Sequence, residues 1–153
     1  MNDNINMDYF VVGGKVNSKT LKNVIFNGYS KNHKMTKNID GYNLDNELSG
    51  TRAQVYYNPD KNHTIINHRG TAGIHDVYTD VKLMLGMKNN KRFKHGKKIT
   101  DKALKKYNDS NVSITGHSLG AEVAKQSNKG QSNELIGVNP AKAPLRSKKI
   151  MSI

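Results

Sequence analysis

No cysteine occurs in the chain. Disulfide bonds and thiolate metal sites are thereby excluded, and cysteine usage says nothing about the redox compartment. Acidic residues are few, 12 against 25 lysines and arginines, which leaves a net charge of +13. Arginine itself is scarce. Only Arg52, Arg69, Arg92 and Arg146 carry the guanidinium fork that suits phosphate. The lysines are dispersed, with dense stretches at 88–98 and 142–149, and their plainest reading is a solvated surface. Aromatic residues are not interleaved with them as in a single-strand-binding platform, so nucleic acid is a disfavoured partner. An anionic membrane or an acidic protein suits the excess charge better.

Long apolar runs are also missing. None approaches the ~20 residues that cross a bilayer. The polar start Met1-Asn2-Asp3-Asn4 lacks the basic and apolar regions of a signal peptide. A soluble protein is expected, intracellular or packaged inside a larger particle. With 153 residues, 35% of them hydrophobic, the chain can build one lean core, as one domain or part of one.

What is present sharpens along the chain. Residues 1–50 are weakly patterned, rich in Asn, Gly and Lys, and are expected to form an N-terminal extension or lid-like region. Within them 9–12 and 23–26 are short apolar runs, readable as strands or as pieces of helix. From Thr51 the pattern is clearer. Residues 53–57 and 63–68 read as a hairpin about the turn-forming 58–62. Residues 74–85 show helical spacing. The lysine-dense 88–98 reads as a basic loop, and Thr100 as the N-cap of a helix through Tyr107. Residues 112–115, 135–138 and 149–153 read as strands, and 119–126 as a helix. The order is α/β in character, with a mixed, mostly parallel sheet and helices packed on it.

The run Gly116-His117-Ser118-Leu119-Gly120 falls between such a strand and such a helix. Gly-x-Ser-x-Gly arises by chance in about one chain in twenty of this length at ordinary Gly and Ser usage. Its setting gives it meaning: a serine on a strained strand-to-helix turn presents its hydroxyl above the sheet as a nucleophile. The Leu119 amide, opening the helix, is suited to stabilise a developing oxyanion. A second donor must come from another strand end, and the Arg69-Gly70-Thr71 turn is a candidate.

With these residues in place, the chain resembles the class 3 (fungal-type) lipases of the α/β-hydrolase superfamily. The segments that carry the resemblance are IINHRGTAGIHDVYTDV, FKHGKKITDKALKKY, VSITGHSLGAEVA and IGVNPAKAP, spanning roughly residues 51–145. The resemblance implies a reduced α/β-hydrolase-like core in residues 51–153. It implies Ser118 as nucleophile, with Thr71 and Leu119 at the oxyanion hole. The reaction would be hydrolysis of a lipid or other carboxylic ester through an acyl-enzyme, with no metal and no cofactor.

Two residues of a complete triad are missing in the expected place. After Ser118 the sequence contains no Asp and no His, and its acids there are Glu122 and Glu134. Neither position suits an orienting carboxylate. Among upstream histidines, His117 should point away from the serine, His33 and His63 read as surface residues, and His95 falls in the basic loop. His68 and His75 flank the proposed oxyanion turn, and His75, beside Asp76, is the candidate substitute base. The resemblance therefore implies an esterase incomplete in this chain. The alternative is a non-catalytic lipase-fold structural or assembly protein, for example a viral particle component. Such a protein would bind an acidic partner or membrane surface, or pair its open sheet edge with a partner chain.

Overall fold

The computed structural model describes residues 8–12, 16–31, 34–70, 91–128, 132, 134–138 and 151–152. They form one eight-stranded sheet with three helices. In chain order the elements are β1 (Asp8–Val12), α1 (Ser18–Asn27), β2 (Asn38–Ile39), β3 (Tyr42–Leu44), β4 (Ala53–Asn58) and β5 (His63–His68). They continue with α2 (Lys91–Lys106), β6 (Asn111–His117), α3 (Leu119–Asn128), β7 (Glu134–Val138) and β8 (Met151–Ser152). The strands lie in the order β2-β3-β4-β5-β6-β7-β1-β8.

The expected α/β architecture with a mixed sheet is present. Parallel pairing runs through the centre, β5 to β6 and β6 to β7, and both flanks are antiparallel. The hairpin read at 53–68 is there, with Ala53 opposite His68 and Asn58 opposite His63.

Alternation along the strands divides the core between two faces. Val55, Ile66, Val112 and Ile114 point to one face, where Ala103 of α2 and Ala124 of α3 cover them. Tyr56, Ile65, Ile136 and Val138 point to the other, where Leu21, Val24 and Ile25 of α1 cover them. Every residue of β5 is buried, as befits a central strand covered on both sides.

Two expectations need correction. The described residues among the first fifty belong to the sheet and to its core. β1 pairs with β7, β3 pairs with β4, and α1 seals one face. The weak pattern has a simple cause. These strands are short, and α1 presents a narrow apolar stripe capped by Asn17, whose side chain accepts from the Lys19 and Thr20 amides. The second correction concerns the basic loop. Residues 91–98 belong to α2, and Thr100 is buried in mid-helix. Lysine is a good helix former and stays on the solvent face, while Gly96, Thr100 and Ala103 face inward. The helix expected at 74–85 lies outside the described residues.

Candidate functional site

The parallel strands set up the site. In open α/β sheets the carboxyl ends of such strands form the crevice where ligands bind. Here β5, β6 and β7 end together: His68 is level with Gly116, and His117 with Val138. Ser118 occupies the turn from β6 into α3. Its φ is +57°, a left-handed conformation that serine adopts only at a cost. The Ser118 amide donates to the Val138 carbonyl at 3.0 Å, and its carbonyl accepts from the Ala121 amide at 3.0 Å. The strained residue is thus held at both ends by backbone.

The flanking glycines are required by close approach. A Cβ on Gly116 would collide with the carbonyl of Gly120, the second residue of α3, and a Cβ on Gly120 with the His68 carbonyl at the end of β5. Leu119 is buried and opens α3. Its amide, at the first helical position, lacks an intrahelical acceptor by construction, at the positive end of the helix. Thr71 and His75 lie outside the described residues. Arg69 and Gly70, which lead to Thr71, are placed against the elbow: the Arg69 carbonyl carbon and Gly120 are near neighbours.

The histidines sort by environment. His117 points away from the serine and meets the Tyr29 hydroxyl, 2.8 Å from its Nδ1. Burial lowers its pKa, so it is held neutral. His68 is fully buried, with Nε2 2.8 Å from Thr100 Oγ1. Burial, then Arg92 and His95, push its pKa down to about 3. His95 on α2 is lowered by burial, then by Arg52, Arg92 and Lys98.

His63, expected at the surface, is buried, because its ring completes a polar chain beneath the sheet. Tyr42 Oη lies 2.6 Å from His63 Nδ1, and His63 Nε2 2.7 Å from Ser113 Oγ. Ser113 in turn donates to Glu134 Oε1 at 2.8 Å. Glu134 is fully buried at the opposite end of β7 from Ser118, which removes it from the elbow. Among the described residues no side chain hydrogen-bonds the Ser118 hydroxyl, and no group of three histidines and carboxylates is arranged to hold a metal ion.

Sequence reasoning missed Tyr29. It lies just beyond α1, half-buried, with its oxygen bonded to the Gly70 amide as well as to His117. Burial raises its pKa. The Arg69 guanidinium lies over its ring, 5.3 Å from the centroid. The only sequence signal was an aromatic residue in a segment read as an extension.

Solved structures with a similar fold include the Lip2 lipase from Yarrowia lipolytica, 16% identical, with a TM-score of 0.46 over 72% of this chain and 54% of that one. A second is a fungal lipase–inhibitor complex, 16% identical, with a TM-score of 0.43 over 75% of this chain and 55% of that one. The chain spans about half the length of each. No curated protein matches its sequence. No described helix is long and apolar enough to cross a membrane. The model of one protein family, described as phospholipase-like with a Tle-like phospholipase domain, matches residues 26–134. That match runs from the end of α1 through β2 to β6, α2, the turn at Ser118 and α3, and the chain belongs to the Tle-like phospholipase domain family.

Proposed function

We propose that this chain carries the nucleophile half of a lipase-like serine ester hydrolase. Ser118 would attack the carbonyl of a lipid ester, and the Leu119 amide, with Thr71, would stabilise the oxyanion. The observation that carries this reading is the strained Ser118 backbone, φ +57°, at the carboxyl end of a parallel strand and the start of α3. Strain of about 1–2 kcal/mol at a single serine has no use in packing, and it is the geometry that exposes a nucleophile. Membership of a phospholipase-like family supports a lipid ester as substrate.

The base is the open element of the proposal. His63, His68 and His117 each have a ring nitrogen engaged elsewhere. His75, which the sequence singles out beside Asp76, is the in-chain candidate base, and a histidine supplied from outside this chain is the other route. The test is reaction with a fluorophosphonate probe. Labelling that Ser118→Ala abolishes supports the nucleophile, and loss of labelling in His75→Ala identifies the base. An unlabelled wild-type chain that also leaves short-chain esters intact would sink the reading.

A further inference from the structure

Eight of the chain's 25 lysines and arginines lie in the 16 residues of α2, against one acid, Asp101. At about 3.6 residues per turn, Lys91, Lys94, Lys98, Lys102 and Lys105 fall within about 80° of the helix surface and along about 21 Å of its length. All five are exposed, while Gly96, Thr100 and Ala103 are buried on the opposite side of the helix. The five lysines form one continuous stripe of ammonium groups facing away from the sheet.

Folding does not call for this arrangement. Lysines three or four places apart repel one another across a helix surface. Lys91 and Lys94 also stand in the first turn, which holds no acid, where the positive end of the helix disfavours cations. A surface charged only for solubility is served by both signs interspersed. Here the ion pairs that α2 makes among the described residues belong to Lys97 and Lys106, off the stripe.

Beside the stripe the surface is concave. An open groove of about 600 Å³ runs between the second half of α2 and the start of β6. The buried Val112 and the partly buried Leu104, both packed on the core, give it an apolar lining. Lys97, Lys105 and Asn108 give it a polar one. Lys105 belongs to both features, so stripe and groove form one surface.

We propose that this surface docks an acidic segment of a partner protein, with carboxylates along the lysine stripe and an apolar side chain in the groove against Leu104 and Val112. Charge complementarity selects an acidic partner. The neighbouring groove selects a protein. A bilayer would call for large apolar side chains exposed on this face. Phe26, the exposed large hydrophobic residue among those described, stands instead on α1, across the sheet. Nucleic acid is best held by arginine forks and stacking aromatics, and the stripe has neither. The groove lies where β6 begins, at the far end of that strand from Ser118. The docking surface therefore does not depend on the activity proposed for Ser118.

The experiment is a fluorescence-anisotropy titration of the whole chain with a labelled helical peptide of about fourteen residues, the length of the stripe, with glutamates on one face and a leucine at its centre. The comparison probes are the same peptide with glutamine for glutamate, phosphatidylglycerol vesicles and duplex DNA of random sequence. At low salt the glutamate peptide should bind about tenfold or more tighter than the glutamine one, and the gap should shrink as salt rises. Lys94→Gln, Lys98→Gln and Lys102→Gln together should remove that preference. Lys19→Gln, Lys31→Gln and Lys61→Gln together take the same charge from exposed positions elsewhere, and should leave binding within about twofold. Serine in place of the peptide's leucine should cost about tenfold or more through lost burial in the groove. Equal loss in the two triple variants overturns the proposal, because net charge alone would then account for binding. Failure of the glutamate peptide to bind overturns it, and so does stripe-dependent binding of the vesicles or the DNA in its place. A urea midpoint clearly lowered by the stripe variant also overturns it, by showing that the lysines serve the fold. A leucine that makes no difference overturns the role of the groove.

Discussion

The hydroxyl of Tyr29 lies 2.8 Å from Nδ1 of His117, which ties the segment after α1 to the residue beside Ser118. The same oxygen binds the Gly70 amide. One side chain thus fixes the two strand ends, of β5 and β6, between which a substrate carbonyl would sit. It also commits His117, which cannot serve as base while its ring faces away from the serine.

Tyr29→Phe tests that bridge. The ring packing and the contact with Arg69 survive, while the hydrogen bonds to His117 and Gly70 are lost. A cost of about 1–2 kcal/mol is expected, read as a lower urea midpoint at unchanged slope. Fluorophosphonate labelling should slow as well, because the elbow and the Arg69-Gly70 turn lose their common anchor. Unchanged stability would show that the bridge is incidental.

Ser118→Gly should make the protein more stable while removing the candidate nucleophile. Relief of a left-handed backbone yields about 1–2 kcal/mol, and the added freedom of glycine in the unfolded chain takes back about 0.5–1. The net lies between about zero and a gain of about 1.5 kcal/mol. Ser118→Ala keeps the strain and should be close to neutral. Comparing the two by chemical denaturation separates backbone strain from loss of the hydroxyl.

Legibility in the sequence followed the physics of each element. The elbow was readable because its glycines answer to local rules: each stands where another backbone would meet a Cβ. The β4–β5 hairpin was readable from its turn. The start of α2 was not, because eight basic residues in sixteen conceal a buried face made of Gly96, Thr100 and Ala103, none of them strongly apolar. His63 read as a surface residue because its partners, Tyr42 and Ser113, come from other strands.

The buried chain Tyr42–His63–Ser113–Glu134 should be sensitive to its central link. Ser113 bonds both the imidazole and the carboxylate. Ser113→Ala takes one hydrogen bond from His63 Nε2 and one from Glu134 Oε1, which keeps the Val16 amide, in a buried site, at a cost of about 1–3 kcal/mol. Ser113→Thr, which keeps the hydroxyl, should restore part of that. A loss under about 0.5 kcal/mol in the alanine variant would mean that the network contributes little to stability.

Acid should destabilise this protein through His68 earlier than through its carboxylates. The ring is fully buried and sits at the head of a directed set of hydrogen bonds, with Thr100 donating to Ser127 and Ser127 to the Ala124 carbonyl. The Thr100 oxygen is left to accept from His68 Nε2, so the neutral ring satisfies the site. Burial first, then Arg92 and His95, hold its pKa near about 3, against 6.5 for an ordinary histidine. The unfolded chain therefore takes up a proton below pH 6.5 that the folded chain refuses until about pH 3. Stability is complete above pH 6.5 and falls through that interval, by up to about 1.4 kcal/mol per pH unit. His117 and His95, also lowered by burial, add to the fall in the same direction. Asp45 acts in a lower window. Burial raises its carboxyl, but Lys106, Tyr107 and the Leu48 amide outweigh that and set it below its usual 3.8. Urea midpoints of the wild type and of His68→Gln, measured from pH 7 to 4, isolate the first contribution. The variant should show the shallower slope. An identical slope in both would mean that the His68 site accepts a proton without penalty.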